Sequence, residues 1–164
     1  MTDITRILVP VDFSMHADRA LAYATTLAAR LGATLAFLHV VEDPVATGAW
    51  SSEIYLPNLQ DLLDTQLEDA RQRVEQLRAA AAASGVTAEA TVLLGQPART
   101  IVEHARAGAF DLVVMATHGR TGFSHLLMGS VAEQVVRRAS CPVLIARADA
   151  ADVEAVAVAP GAAA

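Results

Sequence analysis

Residues 111–116 read Asp-Leu-Val-Val-Met-Ala and form the most continuously apolar segment of the 164-residue chain. A short apolar run of this kind, preceded by a helix stop at Gly108, is typical of a strand that is buried on both faces. Strands buried in this way occur almost only in parallel sheets whose two faces are covered by helices. The segment therefore predicts an α/β fold.

Four further apolar runs have the same character, and helical patterns separate them. The predicted strands cover residues 6–11, 34–41, 86–94, 111–116 and 142–146. Helices are predicted between Ser14 and Gly32, from Leu63 to Ser84, from Pro97 to Ala107 and from Gly129 to Ala139. Strands alternating with helices predict a single-domain, five-stranded parallel sheet with helices on both faces, in a Rossmann-like three-layer sandwich.

The first predicted helix has clear boundary signals and an apolar face. Ser14 is placed to cap its amino terminus, and Gly32 to end it in the left-handed conformation. The predicted buried face carries four apolar residues at helical spacing: Leu21, Ala24, Ala28 and Leu31.

Two segments fall outside this alternation. Residues 43–58 lack a clear period and contain the only tryptophan, Trp50, together with Tyr55, so they are predicted to form a long loop. From residue 148 onward the chain is alanine-rich. We therefore expect a domain over residues 1–147 and a flexible C-terminal tail over residues 148–164.

The charged residues exclude several kinds of chemistry. All 12 basic residues are arginine, so the chain has no phosphate-binding lysine of a P-loop, no Schiff-base lysine and no kinase lysine. The net charge of −6 and the scattered arginines argue against a nucleic-acid partner. A single cysteine, Cys141, excludes an internal disulfide framework and a cysteine-rich metal site.

The chain also lacks the signals of membrane insertion or export. No apolar run approaches the roughly 20 residues that a membrane span requires. The first residues do not combine a basic segment with an apolar core, as a signal peptide does. These patterns predict a cytoplasmic protein without a membrane partner.

Two strand ends have chemically unusual sequences. The first predicted strand runs into Pro10-Val11-Asp12, and the fourth runs into Met115-Ala116-Thr117-His118-Gly119. Open parallel sheets bind ligands beyond the carboxyl ends of their strands, where the winding direction reverses. A ligand site formed by these two segments is therefore the leading prediction.

The segment after the fourth strand has the composition of an anion cradle. Gly119 and Arg120 follow the strand, and Gly129-Ser130 opens the next helix. Glycines allow close backbone approach, and the first amides of a helix are unpaired donors at its positive end. Glycine and serine at a helix start are also ordinary capping residues, so that alternative stays open.

Several of these segments together resemble the universal stress protein family, from Arg6 to about Arg147. The matching pieces are Ile-Leu-Val-Pro-Val-Asp at 7–12, Leu-His-Val at 38–40, Gly-Gln-Pro at 95–97, the run from His118 to Ser130, and Cys-Pro-Val-Leu at 141–144. The ATP-binding branch of that family has Gly, two residues, Gly, nine residues, then Gly and Ser or Thr. This chain has Ala116 at the first of these glycines, which adds a methyl group near the expected nucleotide.

The resemblance implies the adenine-nucleotide α-hydrolase-like version of the fold, with ATP as ligand, with or without Mg²⁺. By this resemblance the adenosine side would be lined by Pro10, Val11, Asp12, Val40 and Met115. The ribose and phosphates would be surrounded by Gly119, Arg120, Gly129, Ser130, Val131 and Ala132, with Ala116 and His118 between the strand and this cradle.

Each of these residues also has a plainer interpretation. Asp12 could be a helix cap ahead of Ser14, and Arg120 a solvated loop residue. His118 could bond only to backbone. His39 is expected to be a packed core histidine, and Cys141 a small core residue.

Three functional hypotheses follow. The first is a non-enzymatic, ATP-binding regulatory protein of the stress response that acts as a dimer. The second is a dimeric interaction module that binds no nucleotide, and the third is a slow ATP hydrolase or phosphotransferase. No nucleophile–base pair and no paired carboxylates are recognisable, which argues against the third. An apolar edge strand that only Pro142 protects predicts a homodimer through residues 142–147, and in the family that the chain resembles this strand commonly pairs with its own copy. The alternative is a monomer in which the alanine-rich tail folds back and covers this edge.

Overall fold

Strands and helices alternate along the chain as predicted. The computed structural model describes residues 3–44, 59–116 and 129–146. The strands in these ranges are β1 (Arg6–Pro10), β2 (Thr34–Glu42), β3 (Ala88–Gly95), β4 (Leu112–Ala116) and β5 (Val143–Ala146). The helices are α1 (Met15–Leu31), α2 (Leu59–Ala83), α3 (Pro97–Ala107) and α4 (Ser130–Arg138).

The five strands form one parallel sheet in the order β3-β2-β1-β4-β5. The chain first winds outward from β1 to β3 and then crosses to the other side of β1 for β4 and β5. The winding direction therefore reverses between β1 and β4, which are the two strands whose ends were predicted to form the site. The predicted fold class is confirmed.

A separate apolar layer lies on each face of the sheet. On the first face, residues of α1 and α2 such as Ala24, Ala28 and Val74 pack on Ile7 and Phe37. Alanine dominates the helical side of this layer, and its small side chain lets a helix approach the sheet closely.

On the second face, α3 and α4 cover the opposite sides of the same strands. Ile101, Ala105 and Val135 belong there to a buried cluster with Leu8 and Val113. Adjacent residues of β1 thus point into different layers, as the period of a strand requires. The three-layer arrangement follows from this alternation.

The structure corrects several details of the predicted elements, among them the start of α2, which lies at Leu59 and not at Leu63. Leu31 is 47% exposed and does not belong to the buried face of α1. β3 begins at Ala88 rather than at residue 86, where Val86 instead packs into the core. Ser14 occupies the N-cap position of α1, but its side chain makes no capping hydrogen bond. Gly32 ends α1 with a φ of 66°, in the left-handed conformation predicted for it.

A carboxylate ties together the amino-terminal ends of β1 and β4. The Asp111 side chain accepts hydrogen bonds from the backbone N–H groups of Thr5 (2.8 Å) and Arg6 (2.9 Å) and from the Thr5 hydroxyl (2.9 Å). The backbone donors of Thr5 and Arg6 hold the pKa of this carboxyl below its ordinary value. This tether joins the start of β1 to the residue before β4, so the two strands are held together at the end opposite their carboxyl termini.

Some sequence predictions lie outside the described residues. They include most of the predicted 43–58 loop, the segment with His118, Gly119 and Arg120, and the predicted tail over residues 148–164. Among the described helices, none combines the length and the apolar character needed to cross a membrane.

Candidate functional site

The sheet opens between β1 and β4 at their carboxyl ends. β1 pairs with β2 along its whole length, from Arg6 to Pro10, but it pairs with β4 only at Ile7 and Leu8. Pro10 has no N–H to donate, and the N–H of Val11 bonds to the Leu38 carbonyl of β2 at 2.9 Å. Beyond Leu8 the first strand therefore stays with β2, and a crevice separates it from β4.

A cleft of about 780 Å³ lies over this crevice. Ten of the thirteen predicted site residues line it: Pro10, Val11, Asp12, Val40, Met115, Ala116, Gly129, Ser130, Val131 and Ala132. The other three, His118, Gly119 and Arg120, lie outside the described residues. The structure thus brings together every predicted site residue that it describes.

Asp12 is fixed at the cleft by the turn that follows β1. Its Oδ1 atom accepts hydrogen bonds from the Ser14 N–H at 3.1 Å and from the Ser14 hydroxyl at 2.7 Å. This arrangement is an Asx-turn, in which a carboxylate bonds to the backbone two residues on. The turn uses one oxygen, and Oδ2 has no hydrogen bond to any described residue. Asp12 is therefore not the helix cap of its plainer interpretation, because Ser14 holds the N-cap position, and the turn leaves Oδ2 as an acceptor at the cleft.

The amino terminus of α4 lies on the β4 side of the cleft. Gly129 is the N-cap residue, and its carbonyl accepts the N–H of Glu133 at 2.9 Å. The first N–H groups of a helix have no partner within the helix. Those of Ser130, Val131 and Ala132 belong to residues that line the cleft. The helix therefore presents donors and the positive end of its dipole to a ligand there.

Apolar side chains on the α3/α4 face form the floor beside these polar groups. Met115 is 6% exposed, and Val40 is half-buried against the same cluster. Ala116 follows Met115, so its methyl group faces the other way and packs with the α1/α2 layer. The cleft therefore combines an apolar surface, one carboxylate and one helix amino terminus.

Comparison with known proteins identifies the family to which this arrangement belongs. The model of the universal stress protein family matches residues 3–147. The chain belongs to the universal stress protein family. A universal stress protein of Thermus aquaticus is 39% identical over 145 residues, which cover 86% of this chain and 97% of that protein.

Solved structures of the family share the fold. Universal stress protein UspA from Lactobacillus plantarum is 30% identical with a TM-score of 0.74, covering 88% of this chain and 99% of that chain. A universal stress protein solved in complex with cAMP is 24% identical with a TM-score of 0.64, covering 88% of this chain and 98% of that chain. These findings confirm the family, whereas membership of its ATP-binding branch stays a prediction.

Part of the cleft was not predicted from the sequence. The side toward α2 is lined by Leu59, Leu62, Leu63, Gln66, Asp69, Ala70 and Arg73. The consecutive leucines Leu62 and Leu63 were the available signal, because neighbouring helix positions point about 100° apart, which lets one of them lie at the margin of the buried stripe. Leu62 is 51% exposed and faces away from the core.

Phe13 and His39 also line the cleft without having been predicted as site residues. His39 is half-buried, and its Nδ1 donates a hydrogen bond to the Val11 carbonyl at 2.7 Å. The expectation of a satisfied histidine holds, although the residue lies at the cleft and not in the centre of the core. Phe13 directly follows Asp12, and this position next to a predicted site residue could have marked it as a cleft residue.

The remaining polar groups of the cleft define its electrostatics. Glu42 and Asp69 are further carboxylates along it, and Arg73 is the one arginine among the lining residues that the structure describes. Within the described ranges, no three His, Cys, Asp or Glu side chains lie close enough to hold a metal ion. Cys141 lies apart, half-buried against the α3/α4 layer, where burial raises the pKa of its thiol. This placement is the one expected of a small packing residue.

Proposed function

We propose that this universal stress protein binds ATP in the cleft between β1 and β4 and acts as a homodimeric regulatory protein of the stress response. The observation that carries the proposal is the position of the α4 amino terminus and of Asp12 at one apolar crevice. A nucleotide has three matching parts: an apolar base, a ribose with hydroxyl donors and an anionic phosphate chain. The fit supports a mononucleotide ligand.

The proposed roles follow from the chemistry of each lining group. Val40 and Met115 offer apolar surface to the base, and Asp12 offers an acceptor to the ribose or the base. Gly129 and Ser130 receive the phosphates, because helix-start amides bind anions without a charged side chain. Gly119 and Arg120 remain candidates for the same phosphates, on the strength of the family resemblance.

The family complex with cAMP gives this proposal support at the level of the fold. That protein holds an adenine nucleotide. Its similarity to this chain is a similarity of fold, so the assignment here depends on the lining residues described above. The cytoplasmic location also stays a prediction from the sequence.

Magnesium would be held chiefly by the nucleotide itself. Mg²⁺ in nucleotide sites is commonly bound by phosphate oxygens, waters and one or two carboxylates. The described cleft offers Asp12 as such a carboxylate, with Oδ1 already accepting two hydrogen bonds from Ser14. We therefore propose a contact through water between Asp12 and a magnesium ion that arrives with ATP.

The proposal describes binding and not turnover. The Asp12 carboxylate is bonded to the Ser14 hydroxyl, and Ser14 is not among the residues that line the cleft. Slow ATP hydrolysis is the alternative outcome, and phosphate release measured over hours in the presence of Mg²⁺ distinguishes the two. The second alternative, an interaction module without nucleotide, is distinguished by the absence of binding.

Gly129→Val tests the site assignment. Gly129 has φ −58° and ψ 146°, a conformation that valine also adopts, so the chain should fold normally. The added side chain should keep phosphates away from the helix start. Losing two or more charge-assisted hydrogen bonds should weaken ATP binding by about a hundredfold or more in calorimetry. The control is Ala107→Val, which adds similar bulk at an exposed position at the end of α3. Wild-type affinity in Gly129→Val would contradict this site.

A further inference from the structure

A stack of three side chains stands beside Asp12 at the α2 side of the cleft. The Arg73 guanidinium carbon lies 3.9 Å from the centre of the Phe13 ring. The Phe13 ring is also stacked on the His39 ring, with 4.5 Å between centroids and 30° between planes. Three elements that are distant in sequence, α2, the β1–α1 turn and β2, therefore meet at one aromatic ring.

The two partners of Phe13 are themselves held in place. His39 belongs to β2, and its hydrogen bond to the Val11 carbonyl fixes the plane of its ring. Arg73 belongs to the central part of α2, next to the fully buried Val74. Among the described residues, Arg73 forms no ion pair, and the Phe13 ring is the partner of its guanidinium. The stack is therefore anchored from both the sheet and the helix.

The backbone of Phe13 needs such an anchor. Its φ is +60°, in the left-handed region that bulky non-glycine residues rarely adopt. A residue in this region persists where surrounding contacts determine its conformation. The Phe13 ring packs against the α1/α2 apolar layer and is held on its faces by Arg73 and His39, so these two contacts are suited to hold this conformation.

The conformation of Phe13 in turn determines where Asp12 lies. Phe13 is the central residue of the turn that Asp12 closes through its hydrogen bonds to Ser14. A change of φ at Phe13 would move the Asp12 carboxylate relative to the Ser14 N–H. It would thereby move the acceptor that Asp12 offers to the cleft.

We propose that Arg73 is a positioning residue of the cleft, which acts through the Phe13 ring to hold the Asp12 carboxylate in its ligand-binding position. The ligand in this inference is the adenine nucleotide of the proposed function. In this proposal Arg73 acts through the Phe13 ring that it contacts, so its removal should affect ATP binding only by way of Asp12.

The first test uses the protein without ligand. Arg73→Gln removes the cation–π contact, whereas Arg73→Lys retains a cation over the ring. The Ser14 amide, which donates to Asp12, should exchange its hydrogen about three- to fivefold faster in Arg73→Gln, as measured by NMR, and at the wild-type rate in Arg73→Lys. The matched control is Arg71→Gln, because Arg71 lies two residues away on α2 and pairs with Glu68 instead. Unchanged exchange at Ser14 in Arg73→Gln would overturn the proposal.

The second test is a double-mutant cycle on ATP affinity. Arg73→Gln should raise the dissociation constant about three- to fivefold in the wild-type background and leave it unchanged in the Asp12→Ala background, where residue 12 has no side-chain acceptor to position. An equal increase in both backgrounds would overturn the proposal, because Arg73 would then act on the ligand independently of Asp12. If the wild type binds no ATP, the proposed function fails, and the exchange rate of Ser14 still decides whether Arg73 positions Asp12.

Discussion

At the scale of single residues, Ala116 is where this chain departs from the family pattern it resembles. Its methyl group packs against the α1/α2 layer, whereas Met115 and Val40 pack on the opposite face. The backbone of Ala116 is not in the left-handed region, so no glycine is required there for conformational reasons. The alanine is thus a packing residue at the edge of the cleft.

Ala116→Gly is therefore predicted to affect stability more than binding. Loss of one half-buried methyl group and the added backbone entropy of glycine in a strand should together cost about 1–2 kcal/mol of unfolding free energy. The dissociation constant for ATP should stay within about twofold, since that methyl group packs away from the apolar floor. Denaturant titration and calorimetry measure the two effects. A clear tightening of ATP binding would mean that the methyl group crowds the nucleotide.

The residues of the site divide sharply into predictable and unpredictable ones. Asp12 and Gly129 were recognisable because they follow a buried strand and open a helix, and local signals of that kind fix their positions. Arg73 was not recognisable, because its partner Phe13 is distant in the sequence. Nothing local to α2 distinguishes Arg73 from Arg71, which pairs with a neighbouring glutamate.

At the scale of elements, β5 is one of the two edge strands of the sheet, and no other described strand pairs with its outer side. It pairs with β4 on one side and is the last strand of the sheet on the other. All four of its residues, Val143–Ala146, are half-buried. An apolar edge strand of this kind readily pairs with a further strand, and a two-fold axis would let it pair with its own copy. The predicted homodimer through residues 142–147 is built on this edge.

Leu144→Glu is predicted to convert the proposed homodimer into a monomer. The charge would be placed at a self-complementary contact, so both copies would carry it at the same interface. Sedimentation velocity at micromolar concentration measures the change, and circular dichroism checks that the variant folds. Leu94→Glu is the matched control, because Leu94 is 43% exposed on β3 at the other edge of the sheet. A wild-type monomer, or a Leu144→Glu dimer, would contradict this interface.

The elements themselves were largely predictable from the sequence. Strand and helix order, the parallel sheet and the position of β5 at its edge follow from alternating apolar runs and their boundary residues. The exposure of Leu31 was not predictable, because it lies in the last turn of α1 at the end of an otherwise buried stripe. The lining role of the first turns of α2 depends on how the helix crosses β2, which periodicity alone does not determine.

At the scale of the whole molecule, β1 and β4 are joined at one end of the sheet and separated at the other. At the amino-terminal end, the Asp111 carboxylate ties the start of β1 to β4. At the carboxyl end the same two strands separate beyond Leu8, and the cleft occupies the space between them. The sheet is thus tied together at one end and open at the end where we propose that a ligand binds.

Whether the open end of the sheet holds ATP can be measured by mass spectrometry of the nucleotide that the protein retains. The purified protein is incubated with ATP, separated from free nucleotide by gel filtration and gently denatured, and the released small molecules are identified and quantified. We expect ATP in an amount equal to that of the chain for the wild type, and a trace for Gly129→Val. Wild-type protein that is folded and yet releases no nucleotide would contradict ATP binding at the open end of the sheet.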